Sequence, residues 1–354
     1  MPTDNREPLK ITSAELAEVV VREPTTNPIL TPKPGDAKSY GSITDASDQA
    51  PIIAEERGSF LLQGWFYLGV AGLLGAVLGW GLCEPAFVDG RGYAGGWGNI
   101  WIIPAVITFM CIGFGVAESI VERSVRKALL RGALAVPLGV VLGFVFQFLA
   151  NIIYNLDLGL VAQMGVQSYR NPAAWIARGI AWAVFGVAGG IVYGIVGQSG
   201  KKTKYGIIGG AIGAAIGGMV FDPISVVTKG GSLSRAVGFA LVGLTTGVAM
   251  GFVESALKDR WLYVTSGPLA GKQFILYKAL TTMGSMQHCD IYLFKDSNIA
   301  PQHAAIAISG SRVQLQAMGP TYIAGNSVQT RVLQDGDLIQ IGKYAFRYKE
   351  KHRA

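Results

Sequence analysis

The segment Tyr205–Phe221 constrains the fold most strongly, because it has no charged side chain and is rich in glycine. Gly209, Gly213 and Gly217 recur at every fourth residue and so fall on one face of a helix. In water, each glycine would destabilise that helix by about 1 kcal/mol relative to alanine. In a bilayer, the helix satisfies its own backbone, and small residues let a neighbouring helix approach closely. The segment is therefore predicted to be a membrane helix that packs through glycine.

Related glycine-rich segments recur along the chain, which indicates an internal repeat. Leu74–Gly79 and Leu138–Gly143 share the pattern of Ile212–Gly217. A second helix type begins with Arg178 or Arg235, followed by three glycines at identical spacing. Chance similarity between apolar helices is the alternative, but the matched charged positions favour three repeated helix pairs. The glycines expected to pack helices together are Gly75, Gly79, Gly139, Gly143, Gly209, Gly213, Gly217, Gly243, Gly247 and Gly251.

Composition also indicates a membrane domain. Half of the 354 residues are hydrophobic and 15% are charged, a lower charged share than soluble domains carry. The apolar residues form six runs, each close to the roughly 20 residues that a helix needs to cross a bilayer. The predicted spans are Phe60–Leu82, Trp97–Ser119, Leu130–Ile153, Ala173–Val196, Tyr205–Val227 and Ser234–Ala256.

The distribution of lysine and arginine predicts how the spans are oriented. Cations cluster in Glu122–Arg131, Gly200–Lys204 and Lys258–Arg260, whereas the other connections contain few. Because cytoplasmic loops are enriched in these residues, both termini are predicted to be cytoplasmic, in a bacterial inner membrane. The formal charge of +7 is explained in this way, so nucleic-acid binding is not expected.

Four acidic residues lie at the ends of predicted spans. Glu84 and Asp222 end spans on the outer side, and Glu118 and Glu254 end spans on the inner side. We expect these carboxylates to reach interfacial water; an ion or proton path is the alternative, because ionisable residues in membranes are often functional. No Asp, Glu, Lys or His lies in the middle of a span, which argues against a coupled transporter.

Three domains are predicted. Residues 1–57 are polar and interrupted by prolines, so they cannot bury a core and are expected to form a disordered cytoplasmic tail. Residues 58–257 would form an all-α transmembrane bundle, and residues 258–354 an all-β sandwich. The three cysteines, Cys83, Cys111 and Cys289, have no ligand spacing, so neither disulfides nor a metal site is expected.

Beyond Trp261 the apolar runs give way to short alternating segments separated by turns, which is typical of a β-sandwich. The predicted strands are Trp261–Val264, Gln273–Leu276, Asp290–Leu293, Ala304–Ile308, Val313–Gln316, Asp337–Ile341 and Tyr344–Tyr348. Residues characteristic of one known domain family occur in five segments: Val264–Leu276, Thr281–Gly284, Cys289–Leu293, His303–Ile306 and Leu333–Gly342. Together these segments resemble a forkhead-associated (FHA) domain over residues 261–349. The resemblance implies an eleven-stranded sandwich whose apical loops bind phosphothreonine peptides.

The phosphate-binding positions of the FHA pattern are changed in this chain. Where the pattern has Gly-Arg, this chain has Gly284-Ser285. Where the pattern has Ser-Arg-x-His-Ala, this chain has Ala300-Pro301-Gln302-His303-Ala304. The arginine and serine that would hold the phosphate are absent, and with them the charge-assisted hydrogen bonds. His303 matches the family's structural histidine, which orders the loop. The residues expected to contact a partner at the apical loops are Ser285, Lys295, Asn298, Gln302, Arg312 and Thr321.

These features predict a membrane-anchored scaffold whose FHA-like domain recruits a cytoplasmic protein, with or without phosphothreonine recognition. The other expected partners are membrane lipid and a second copy, bound through the Gly-x-x-x-Gly faces. Neither enzyme activity nor a cofactor is expected, because the sandwich contains no nucleophile–base set and no phosphate-binding loop. One alternative is a channel or transporter regulated by the FHA-like domain. Another is self-regulation, in which phosphorylated Thr25, Thr26 or Thr31 of the tail occupies the FHA-like site.

Overall fold

The computed structural model describes residues 59–163 and 171–351, so the predicted tail 1–57 and its threonines lie outside the described residues. Six long helices come first, all long and apolar enough to cross a membrane. They are α1 Gly64–Cys83, α2 Trp97–Val121, α3 Val125–Gln163, α4 Pro172–Val196, α5 Gly200–Thr228 and α6 Gly231–Leu257. The fold class predicted for this part of the chain is confirmed.

The helix α3 differs most from its predicted span, since it continues for ten residues beyond Ile153. Hydropathy marks where a helix can contact lipid, but it does not mark where the helix ends. The extension keeps its helical hydrogen bonding although it carries Asn155 and Asp157. The window of α3 that can span a membrane is also only 22% buried, so most of this helix faces outward.

The six helices form a closed ring in chain order. Each packs against its neighbours in sequence, and α6 returns to pack against α1. Glycines bring the backbones together at these contacts. A Cβ on Gly75 of α1 would lie 2.5 Å from the carbonyl oxygen of Phe109 in α2, and one on Gly209 of α5 would lie 2.6 Å from Cα of Met250 in α6. Side chains at these positions would therefore force the helices apart.

The predicted packing glycines all face other helices of the same chain. Those of α1 and α3 contact α2, those of α5 contact α6, and those of α6 contact α1. The expectation that these faces bind a second copy is corrected, because their partners are already present within the ring. Between the helices, an apolar core includes Leu68, Met110, Phe114 and Val192, all at most 2% exposed.

The sandwich follows α6 after two residues and contains eleven strands in the described part of the chain. They are β1 Arg260–Ser266, β2 Gln273–Ile275, β3 Leu280–Gly284, β4 Ile291–Tyr292, β5 Ala304–Ser309, β6 Arg312–Ala317, β7 Thr321–Ile323, β8 Asn326–Ser327, β9 Thr330–Val332, β10 Leu338–Ile341 and β11 Tyr344–Glu350. One sheet has the order β2-β1-β11-β10-β7-β8 and the other β4-β3-β5-β6-β9. The two-layer sandwich is confirmed.

Four strands were not among the seven predicted from alternation: β3, β7, β8 and β9. Three of them have only two or three residues, which is too short to show a period of two. The core between the sheets includes Leu262, Ile306, Ile339 and Phe346, each fully buried. This core fixes the positions of the loops at both ends of the sandwich.

Candidate functional site: the loop end of the sandwich and its docking contacts

The loops predicted to bind a partner meet at one end of the sandwich, here called the loop end. Met283 at the end of β3 pairs with Ala304 at the start of β5, which in turn pairs with Ala317 at the end of β6. The segments that follow β3, precede β5 and follow β6 are therefore neighbours. The loop end consists of Ser285, Met286, Lys295, Asn298, Pro301, Gln302, Met318 and Pro320.

His303 orders these loops from the inside. It is 1% exposed, its Nδ1 accepts a hydrogen bond from the Ala300 amide at 3.0 Å, and its Nε2 lies 2.9 Å from the Pro320 carbonyl oxygen. Since Nδ1 accepts, Nε2 carries the proton and donates to Pro320. One neutral imidazole thus connects the loop before β5 to the loop after β6, which agrees with the structural role expected for this residue.

Four of the six predicted contact residues lie at the loop end. Lys295, Asn298 and Gln302 are exposed, and Ser285 is half-buried with its amide donating to the Ala300 carbonyl oxygen. Two predictions need correction. Thr321 is 1% exposed and its hydroxyl donates to the Gly319 carbonyl oxygen, so it faces inward. Arg312 begins β6 opposite Ser309, at the other end of the sandwich.

Two exposed methionines at the loop end were missed by the sequence analysis. Met286 is 44% exposed and Met318 is 57% exposed. Their amides donate to the carbonyl oxygens of Pro301 and His303, so the two methionines flank this short segment. The unbranched thioether adapts to irregular apolar surfaces and is frequent where proteins bind varied partners. The only sequence signal was that Met286 follows the motif segment Thr281–Gly284 and Met318 follows the predicted strand Val313–Gln316.

The sandwich is held on the helix ring by buried polar contacts, here called the docking contacts. Lys272, in the turn before β2, donates through Nζ to Glu122 Oε1 at 2.8 Å. The Tyr277 hydroxyl donates to Glu254 Oε1 of α6 at 2.5 Å. Burial, and after it the charge of Glu254, raise the pKa of Tyr277 well above its usual range, so the phenol remains a donor. Both contacts come from the β2 edge of the sandwich.

The β4 edge provides further docking contacts to the connection between α2 and α3. Lys127 Nζ donates to the Asp290 carbonyl oxygen at 3.0 Å, and the Arg126 amide donates to Gln287 Oε1 at 3.4 Å. The guanidinium of Arg123 lies 5.8 Å from the ring centre of Phe294. Residues beside both edge strands, β2 and β4, therefore hold the sandwich on the ring.

The carboxylates at the ring's sandwich-side end are buried among partners. Glu118 accepts from Lys202 Nζ at 2.7 Å and from Arg131 Nη1 at 3.1 Å. Glu254 is 7% exposed and also accepts from the Tyr193 hydroxyl at 3.0 Å. The expectation that all four terminal acids reach interfacial water is wrong for Glu254. Tyrosine donors from α4 and from the sandwich replace water, as a buried carboxylate requires.

The far end of the ring contains two equivalent ion pairs. Arg178 of α4 donates through Nε to Asp222 Oδ2 of α5 at 2.8 Å. Arg235 of α6 donates to both oxygens of Glu84, which follows α1. Asp222 is only 5% exposed, so it too departs from the expected interfacial water. In both pairs an arginine near the start of one helix binds a carboxylate near the end of the helix that follows it around the ring.

A cavity of about 480 Å³ opens beside these ion pairs. Arg178 and Arg235 line it together with the aromatic side chains of Trp182 and Phe239. Gln147 of α3 also lines it, is 8% exposed, and has no hydrogen-bond partner for Oε1 within the described part of the chain. A buried acceptor without a protein donor is unusual in a folded protein.

The eleven strands and the motif residues around His303 define the sandwich as an FHA-type domain, a class of protein-interaction domain. More particularly, residues 263–352 match the family described as "Inner membrane component of T3SS, cytoplasmic domain" (Yop-YscD_cpl). The match covers the sandwich and leaves the helix ring outside it.

Several curated proteins are similar to the same part of the chain. The glycogen accumulation regulator GarA of Mycolicibacterium smegmatis is 35% identical over 86 residues, which are 23% of this chain and 54% of that protein. The oxoglutarate dehydrogenase inhibitor of Corynebacterium efficiens is 36% identical over 86 residues, which are 23% of this chain and 60% of that protein. The chain thus spans about half the length of the curated relatives it matches.

Solved FHA domains are similar to the sandwich as well. One from Chlamydia trachomatis is 24% identical with a TM-score of 0.25, covering 27% of this chain and 100% of that chain. One from Arabidopsis thaliana is 22% identical with a TM-score of 0.25, covering 27% of this chain and 89% of that chain.

Proposed function

We propose that this protein is a membrane-anchored interaction protein of the bacterial inner membrane. The helix ring would anchor it, both termini would be cytoplasmic, and the loop end of the sandwich would recruit a protein partner. The family match to the cytoplasmic domain of an inner-membrane component supports this placement. So do the cation-rich connections on the sandwich side of the ring, since such connections are typically cytoplasmic.

The composition of the loop end carries the proposal. Ser285 and Pro301 occupy the positions where phosphate-binding FHA domains have arginine. Exposed Met286 and Met318 lie on either side of Pro301 instead. Such a surface favours apolar contact with a protein segment over charge-assisted binding of a phosphate. We therefore infer recognition that does not depend on phosphothreonine.

The test expresses the full chain in cells, with a photo-crosslinking residue at a chosen position of the sandwich. A crosslinker at Met318 or Gln302 should trap one partner reproducibly, because both positions lie at the loop end. A crosslinker at Ser311, in the exposed turn at the opposite end of the sandwich, is the matched control. Equal trapping from Ser311 would contradict the assignment of the loop end.

Peptide binding tests the second part of the proposal. Matched phosphothreonine and unmodified peptide libraries should bind the purified full chain with equal affinity. Selective binding of the phosphopeptides would overturn the inference from Ser285 and Pro301. In that case Ser285→Arg should strengthen phosphopeptide binding further, because it restores a charge-assisted donor.

The cavity at the far end of the ring favours a second candidate, a regulated channel. Phe114 and its neighbours fill the ring between this cavity and the buried carboxylates at the sandwich-side end. An apolar constriction between two polar ends is one way in which channels close. Proteoliposomes containing Phe114→Ala should then conduct ions while the native chain does not. Absence of flux in both would leave the ring as an anchor.

A further inference from the structure

A cavity of about 320 Å³ lies where the sandwich meets the helix ring. Its walls are the first turns of α3, the end of α4, and the segment Phe274–Lys278 of the sandwich. This volume is within the range of sites that bind small molecules or headgroups. The cavity is separate from the loop end and from the cavity at the far end of the ring.

The charges that line this cavity leave a surplus of positive charge. Its cations are Arg126, Lys127, Arg131, Lys202 and Lys278, and its carboxylates are Glu118, Glu122 and Asp290. Each carboxylate already has cationic partners: Glu118 has two, Glu122 has Lys272 and Lys127, and Asp290 has Lys278. The exposed guanidinium of Arg126 has no carboxylate partner among residues 59–163 and 171–351. The cavity therefore attracts anions.

One stripe of α3 connects this charge to the apolar surface of the ring. Arg126, Leu130 and Leu134 are spaced by four residues, so they lie on one face of the helix, and all three line the cavity. Leu130 is 59% exposed and Leu134 is 53% exposed. The cavity therefore runs from a guanidinium to leucines on the outward face of a membrane-spanning helix, and it opens sideways toward the bilayer.

We propose that this cavity binds an anionic phospholipid. The phosphate would be held by Arg126 and Lys127, and an acyl chain would lie along Leu130 and Leu134. Basic residues beside a membrane helix attract anionic lipids, and here the sandwich closes over them to form a bounded site. The lipid would contact the ring and the sandwich together, and so stabilise their docking. The proposal requires that α3 spans a bilayer, but it does not require a partner at the loop end.

The test titrates the full chain, purified in a neutral detergent, with phosphatidylglycerol or phosphatidylcholine. Native mass spectrometry counts bound lipids, and thermal unfolding reports stabilisation. Phosphatidylglycerol should bind saturably and raise Tm, whereas phosphatidylcholine should not. Arg126→Gln should weaken this binding about fivefold, the effect of one cation near a lipid surface, and Arg126→Lys should retain most of it. Lys204→Gln is the matched control, because Lys204 is an exposed cation at the same end of the ring that does not line the cavity.

Arg126→Gln leaves the docking contact of that residue in place, because the contact uses the backbone amide. Its lipid-free Tm should therefore equal that of the native chain. Equal affinity for both lipids, or equal weakening by Lys204→Gln, would overturn the proposal. Competition by soluble glycerol phosphate as strong as by phosphatidylglycerol would also overturn it, since the site would then bind a free anion and not a lipid.

Discussion

Lys272 of the sandwich and Glu122 of the helix ring form a buried ion pair, with 2.8 Å between Nζ and Oε1 and at most 3% of either side chain exposed. The two residues are 150 positions apart in sequence. Within the described residues, this is the most deeply buried of the ion pairs between the two domains. This ion pair helps to fix the orientation of the sandwich on the ring.

Removing Lys272 should release the sandwich. Lys272→Met leaves Glu122 buried, with only Lys127 nearby at 3.5 Å. The free energy of unfolding of the full chain should therefore fall by about 3 kcal/mol. Thermal unfolding and hydrogen exchange at β2 would measure this loss. The double variant Lys272→Met/Glu122→Leu should recover most of it, because the buried carboxylate is gone and Lys127 still donates to the Asp290 carbonyl oxygen. Lys201→Met, in a pair with both side chains more than a third exposed, should cost less than about 1 kcal/mol.

Replacing His303 should loosen the loop end. His303→Ala removes two hydrogen bonds and leaves the Ala300 amide and the Pro320 carbonyl without this partner, at a cost of about 1–3 kcal/mol. Hydrogen exchange should increase in the loops before β5 and after β6. His288→Ala changes the same residue type at an exposed position and should leave stability unchanged. Equal effects of the two substitutions would contradict the structural role of His303.

The glycines at helix contacts should not tolerate side chains. A Cβ on Gly217 would lie 2.6 Å from Cα of Val242, and the backbone there cannot move without separating α5 from α6. Gly217→Val should therefore lower the free energy of unfolding by about 1–3 kcal/mol, the usual cost of overpacking. The measurement is a lower Tm of the full chain in detergent. Gly81→Val in α1 is the control, since a Cβ there meets nothing within 4 Å. If both variants were equally stable, the glycine contacts would not hold the ring together.

The stability of the β4 edge should depend on pH through Asp290. Burial alone would raise the pKa of this carboxyl, but hydrogen bonds from Lys278 and Thr282 outweigh it and lower the pKa below its usual value. The ionised Asp290 carboxylate therefore stabilises the folded state at pH values above its ordinary pKa of about 3.9. This stabilisation is lost as the pH falls through the lower pKa that the carboxyl has in the folded state. Asp290→Asn should destabilise the chain at pH 7 and have a diminishing effect below about pH 4. An effect independent of pH would contradict this assignment, and denaturant unfolding at several pH values would measure it.

Sequence periodicity was sufficient for the six helices and for seven of the eleven described strands, but not for the partners of individual residues. An apolar run such as Tyr205–Phe221 identifies a span from its own residues, because length and composition decide whether a helix can cross a membrane. The partner of Glu254 could not be found in this way, since Tyr193 and Tyr277 lie far from it in sequence and reach it only through the fold. The same applies to the docking of Lys272, which in the sequence is one residue of an FHA motif.

Four of the six residues chosen from the FHA resemblance lie at the loop end, and two do not. Arg312 was expected there as a substitute for the missing phosphate-binding residues, but it begins β6 at the opposite end of the sandwich. Thr321 matches a threonine of the FHA pattern, but its hydroxyl donates a hydrogen bond to the Gly319 carbonyl oxygen of its own turn. Met286 and Met318 attracted no attention in the sequence, since an isolated methionine gives no pattern until the fold exposes it.

The closure of the ring by α6 against α1 has a consequence for how the protein is made. The glycine face that α1 presents to α6 has no partner until residues up to Leu257 have been synthesised, because α6 is the sixth of the described helices in chain order. The first of these helices thus depends on the sixth for its final neighbour. The ring is therefore completed only after all six helices have been made, and the sandwich that covers one of its ends follows them from the ribosome.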